Sequence, residues 1–167
     1  IEKEAFRNCT SLSSINLPDN LEYIGERALS ECTSLKSIKI NSDLTGNARY
    51  VFADSGLEKA EISSGIKKLP DYLFENCTEL KEVTMYEGIT DLGELTFINC
   101  SSLSEITIPS TVEKGDRIFA GSGLETITFQ DGLTKIPDSI CYNAKKLKNI
   151  NIPDSVVEIE SRSFADC

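Results

Sequence analysis

Six cysteines, Cys9, Cys32, Cys77, Cys100, Cys141 and Cys167, are the side chains of this sequence with the widest chemical repertoire. Thiols can pair as disulfides, ligate a metal or act as nucleophiles. The rest of the composition narrows those roles. Histidine is absent, which removes Ser-His-Asp and Cys-His nucleophiles, imidazole zinc ligands and the usual neutral-pH proton shuttle. No Cys-x-x-Cys pair occurs, so thiolate zinc binding lacks its spacing. Carboxylate-only or lysine-based catalysis is what remains. Glu58, Glu61, Glu82 and Glu105 are clustered acids of the kind that form paired carboxylates or a calcium site. Lys59 and Lys81 are interleaved with them and no aspartate-rich loop spacing is present, which reads as a solvated strand face. The sequons Asn8-Cys9-Thr10, Asn76-Cys77-Thr78 and Asn99-Cys100-Ser101 match the glycosylation pattern. All fall at one repeat position, where Asn and Ser or Thr suit a tight turn.

The spacing of the cysteines decides how they are held. Cys9, Cys32, Ser55, Cys77, Cys100, Ser122, Ala144 and Cys167 follow one another at 22 or 23 residues. A constant period in the twenties marks a solenoid of stacked coils. Stacked neighbours such as Cys9 and Cys32, or Cys77 and Cys100, have parallel Cβ vectors, whereas a disulfide needs Cβ atoms about 3.8 Å apart. The expectation is a column of reduced, buried thiols behaving as small apolar groups, which Ser or Ala can replace. Cys141 falls in a different, aromatic column and is expected in the core.

Within each period the apolar residues recur in register. The first carries Leu12, Ile15 and Leu17, the next Leu35, Ile38 and Ile40, and the series runs on to Leu147, Ile150 and Ile152. Alternation at the end of each set predicts one strand per coil, seven in all, stacked in parallel as a main sheet. Pro18, Pro109 and Pro153 stop three of these strands by removing a ladder donor. Asp19-Asn20, Ser64-Gly65, Glu87-Gly88 and Asp131-Gly132 follow as turns. A second apolar pair, such as Ile66/Leu69, Ile89/Leu92 or Leu133/Ile136, predicts a second, shorter extended segment. A column of Phe6, Leu29, Phe52, Phe74, Phe97, Phe119, Cys141 and Phe164 then predicts one short helical turn per coil. Leu44 to Glu58 and Val112 to Glu125 are loosened copies that lack the second anchor, at Asn47 and Gly115, and carry a shortened Ser-Gly-Leu. They read as packing variants, centred on Gly56 and Gly123.

Lys plus Arg number 17 and Asp plus Glu 27, for a net charge of −10. A chain so acidic repels phosphate backbones, so no nucleic acid partner is expected. No apolar run approaches the length of a membrane span, so no membrane insertion is expected within this segment. The sequence opens at Ile1 and closes at Cys167 in mid-repeat, so residues 1–167 are expected to be one array cut from a longer protein.

The recurring line CxxLxxIxLPxxLxxIgxxAFxxC, carried by NCTSLSSINLPDNLEYIGERALSEC, NCSSLSEITIPSTVEKGDRIFAGSGL and KLKNINIPDSVVEIESRSFADC, resembles the BspA-like (Treponema-type) leucine-rich repeat. The likeness covers the whole chain; Ser55, Ser122 and Ala144 depart from it at the cysteine. It implies a β-rich leucine-rich-repeat solenoid of about seven 22–23-residue coils. The main sheet would be parallel, with a second short extended segment and short helical turns opposite. It further implies an extracellular or cell-surface, non-enzymatic module for recognition or adhesion, binding protein or glycan and needing no cofactor or metal. A structural spacer, or an accessory segment of a larger enzyme, are the alternatives. Curved solenoids bind on the face of the main sheet. The candidates there are Lys39, Glu61, Thr84, Thr107, Thr128 and Asn151 in one outward row, with Lys59, Glu82 and Glu105 in the row beside it. Thr84, Thr107 and Thr128 would form a threonine ladder.

Overall fold

The computed structural model describes residues 1–44 and 47–167. Thr45 and Gly46, in the first loosened copy, lie outside the described residues. Among the described residues ten short strands lie on two faces of the coil: β1 (Ser37–Ile40), β2 (Lys59–Ile62), β3 (Glu82–Met85), β4 (Asp91–Glu94), β5 (Glu105–Ile108), β6 (Lys114–Asp116), β7 (Thr126–Phe129), β8 (Lys135–Ile136), β9 (Asn149–Asn151) and β10 (Glu158–Ile159). Every ladder is parallel, and partners sit one repeat apart, as in Ser37 with Lys59 and Lys59 with Glu82. The repeat therefore fixes the register: residues in one column of the sequence become neighbours in space.

The main sheet differs from the expected seven continuous strands. It has six, divided into β1-β2-β3 and β5-β7-β9, with no ladder between β3 and β5. Segment 12–17 in the first coil is not a regular strand. At the divide, Glu82 and Glu105 occupy the same outward column in adjacent coils, and like charges opposed across neighbouring strands disfavour pairing. The second extended segment is present as the separate pairs β4-β6 and β8-β10, and a bridge from Lys68 to Asp91 extends the first by one coil.

Among the described residues there is no helix, which corrects the expected helical turn at the Phe column. Two residues per coil, four apart, adopt a left-handed backbone there: Glu4 and Asn8, Arg27 and Glu31, Tyr50 and Asp54, Tyr72 and Asn76, Leu95 and Asn99. A left-handed residue every fourth position prevents a right-handed helix from propagating. Alternate amides are turned instead along the solenoid axis. Glu4, Phe6 and Asn8 donate to Glu26, Ala28 and Ser30 of the next coil, and the pattern recurs from coil to coil. The sequon asparagines Asn8, Asn76 and Asn99 are left-handed at φ 57°, 55° and 59°, a conformation Asn tolerates better than most residues.

The core lies between the two strand faces and the turns. Phe52, Phe74, Phe97 and Phe119 are fully buried and stack along the axis at 5.6, 5.4 and 5.6 Å between centroids. Beside them runs the cysteine column, all of whose thiols are free. Four of its five cysteines donate to the Phe-column carbonyl one coil back: Cys32 to Phe6, Cys77 to Phe52, Cys100 to Phe74, and Cys167 to Cys141, at 3.1 to 3.2 Å. In the loosened copies a Cβ on Gly56 would lie 1.9 Å from the Thr33 carbonyl oxygen, and one on Gly123 would lie 2.1 Å from that of Ser101. These glycines are required by close approach of backbones. The anchor missing at Gly115 is replaced from three residues on, where buried Ile118 reaches within 3.0 Å of the space a Cβ would take.

Candidate recognition surface

The outward rows of the main sheet are set by strand alternation. Ile38, Ile40, Ala60, Ile62, Ile106, Ile108, Ile127 and Phe129 point into the core, so the residues between them face out. Parallel register then places chemically matched residues side by side. Lys39 Nζ pairs with Glu61 at 2.8 Å and Lys59 Nζ with Glu82 at 2.7 Å. One row further out, Glu58 lies between Lys36 at 3.4 Å and Lys81 at 3.3 Å. The hydrogen bond and charge of Glu61 raise the Lys39 pKa, and those of Glu82 raise that of Lys59. Lys81, then Lys36, hold the Glu58 carboxyl below its ordinary value. At the other end of the sheet, Asn149 donates to Thr126 at 3.3 Å and Asn151 to Thr128 at 2.9 Å.

Four of the nine predicted residues are thus tied up in Lys–Glu rungs, and Thr128 and Asn151 in an amide–hydroxyl rung. Thr84, Glu105 and Thr107 remain, and none has a polar partner among the described residues. They meet at the divide between β3 and β5. Thr107 and Thr128 are register partners, whereas Thr84 is separated from Thr107 by the missing ladder, so the expected threonine ladder is interrupted. The divide forms a depression of about 540 Å³ whose lining includes Thr84, Tyr86, Glu105, Thr107, Thr126 and Gln130.

Tyr86 and Gln130 were not among the sequence candidates. Tyr86 is 47% exposed, the largest aromatic surface on the described chain. Their signal was available in the strand-terminating column, which reads Pro18, Asn41, Ser63, Tyr86, Pro109, Gln130 and Pro153. Two non-turn residues stand there on either side of Pro109. Chemically the depression offers hydroxyls, one amide, one unpaired carboxylate and an aromatic edge, a set suited to hydrogen bonding and stacking. No three Cys, Asp or Glu side chains converge as a metal site among the described residues.

The family model for the BspA type leucine rich repeat region matches residues 1–122 and 113–167, in six copies. The chain belongs to this family. Among solved structures, a T. pallidum leucine-rich-repeat protein aligns over 95% of this chain at 20% identity and a TM-score of 0.56. One from Bacteroides ovatus aligns over 99% at 20% identity and a TM-score of 0.53. A leucine rich cell surface protein of Faecalibacterium prausnitzii aligns over 78% at 27% identity and a TM-score of 0.52. The BspA-type array described here spans 65%, 62% and 34% of those chains, respectively. No match is found among curated proteins. Among the described residues no helix is long and apolar enough to cross a membrane.

Proposed function

We propose that this leucine-rich-repeat array is a non-enzymatic recognition module, displayed at the cell surface, that binds a protein or glycan through the divide in its main sheet. The carrying observation is the concentration of unpaired polar residues, Thr84, Glu105 and Thr107, with exposed Tyr86 around one depression. The neighbouring Lys39–Glu61 and Lys59–Glu82 rungs satisfy themselves, so a ligand there would have to displace existing ion pairs. The absence of histidine from the sequence weighs against hydrolytic or transfer chemistry by the common routes. Surface display rests on the family and on the cell surface protein of F. prausnitzii that the chain resembles.

The self-satisfied rungs favour a second reading, a spacer that projects another domain. Binding to a glycan array and to immobilised cell-surface proteins separates the two. The wild-type chain is expected to retain a subset of these ligands, and Thr84→Arg/Thr107→Arg to lose them by about tenfold or more, since blocking the centre of a contact surface removes most of its energy. A wild type that retains none supports the spacer.

A further inference from the structure

We infer that a second interaction surface lies on the turn side of the coil, where Arg27, Tyr50 and Tyr72 form a docking stripe for a protein partner that presents a carboxylate. This surface is separate from the main sheet and does not depend on the reading given above.

The first left-handed column of the turns reads Glu4, Arg27, Tyr50, Tyr72, Leu95 and Arg117 in successive coils. The second reads Asn8, Glu31, Asp54, Asn76, Asn99 and Gly121, mostly residues that tolerate positive φ. Turn geometry therefore accounts for the composition of the second column and not for the two tyrosines in the first. Tyr50 and Tyr72 stack at 4.7 Å between centroids and 23° between planes. The Arg27 guanidinium lies over the Tyr50 ring at 4.9 Å, and that of Arg49 over Tyr72 at 5.3 Å. All four are half-buried, so the stack is rigid while its edges and cations face solvent.

The three arginines near the stack differ in their charge partners. Arg117 is bound to Glu94 at 2.7 Å and to Asp116 at 3.0 Å, and Arg49 pairs with Asp71 at 3.2 Å. The Arg27 side chain makes no hydrogen bond among the described residues. Within 4 Å its one carboxylate neighbour is Glu26, 3.8 Å from Nε and already held by Lys3 and Asn47, while Glu75 lies farther off and feels the Arg27 charge without bonding to it. Arg27 Nε is buried and unpartnered, whereas its two Nη atoms are neither buried nor bonded, and 40% of the side chain is exposed. A guanidinium fixed by stacking with its terminal fork open matches a carboxylate in the bidentate geometry.

Two features make the partner a protein. Arg27, Tyr50 and Tyr72 line neither the depression at the divide nor the one beside Asp43 and Asp71, and small ligands need concave sites. Tyr and Arg are the residue types that anchor protein–protein contacts. The net charge of −10 repels polyanions such as nucleic acids or sulfated glycans, while a single carboxylate seated on Arg27 is not excluded by that field.

The test is binding of the chain to an array of 12-residue peptides with a central Glu among apolar residues, against the same array with Gln in its place. The expected result is retention of a subset of Glu peptides about tenfold above their Gln counterparts, loss of that preference in Arg27→Ala, and a reduced preference in Tyr50→Ala. Arg27→Lys is expected to recover only part, because an ammonium lacks the fork. Arg162→Ala, an exposed arginine later in the same column, is expected to bind as wild type. Thermal melts establish that each variant is folded; should Arg27→Ala unfold, Arg27→Lys carries the comparison. No Glu preference, or an unchanged preference in the folded Arg27 variants, overturns the inference. Binding to heparin that depends on Arg27, without any Glu peptide being retained, also overturns it.

Discussion

Cys77 donates its thiol to the Phe52 carbonyl one coil back and lies 3.4 Å from Ser55 Oγ, enclosed on every side. Burial pushes its pKa from the ordinary 9.0 up to about 12, against the smaller opposing effect of the Ser55 hydrogen bond. Burial drives the thiols of Cys100 and Cys141 in the same direction. A folded-state pKa above the unfolded one means that the stabilisation is fully present below about pH 9 and is lost as pH rises toward 12. The stability difference between wild type and Cys77→Ala, measured by denaturant titration, should therefore shrink across that range. Alkylation of the native protein near neutral pH should modify exposed Cys167 and half-buried Cys9 well before the four buried thiols, Cys32, Cys77, Cys100 and Cys141. The sequence column Cys9 to Cys167, with its Ser and Ala replacements, was enough to place these thiols in the core. It could not show that Cys32, Cys77, Cys100 and Cys167 donate to Phe-column carbonyls, because that depends on how the left-handed turns aim those carbonyls. Cys141 needed its own column, which the Phe spacing supplied.

At the scale of elements, the strand positions were legible because apolar residues repeat at fixed spacing and parallel register follows from the period. The break between β3 and β5 was not, although both residues responsible were in view. Glu82 and Glu105 share one outward row in the sequence, but the row alone does not show that Lys59 pairs with Glu82 while Glu105 is left facing a like charge. Replacing Glu105 by Lys would turn the repulsion into a rung like that of Lys59 with Glu82. Glu105→Lys should raise stability by about 0.2–1 kcal/mol and slow hydrogen exchange of the β3 and β5 amides. Unchanged exchange there would show that the ladder is interrupted for another reason. The helical turns were misread for a physical reason as well. Small polar residues around a buried Phe fit a helical turn or a run of left-handed corners equally well, and the choice is made by hydrogen bonding to the next coil, which single-repeat patterns do not contain. Only the asparagines at one corner hinted at positive φ.

For the molecule as a whole, the repeat builds a rigid frame whose inward columns are nearly uniform and whose outward columns vary. The phenylalanine stack, the thiol bonds and the axial amide bonds all tie one coil to the next, so the surface rows are held at fixed separation. The proposed recognition rests on the residues that the repeat leaves free. Of the nine sheet residues proposed from sequence, six are engaged with a neighbour and three remain open at the divide, with Tyr86 and Gln130 beside them. The most direct measurement is the solution affinity of wild type and two variants, by calorimetry, for a ligand retained on the arrays. Lys39→Glu/Glu61→Lys exchanges the members of one rung and preserves its ion pair, whereas Thr84→Arg/Thr107→Arg fills the depression. Recognition through the divide predicts wild-type affinity for the exchanged rung and a loss of about tenfold or more for the filled depression. Equal affinity in all three proteins would contradict it.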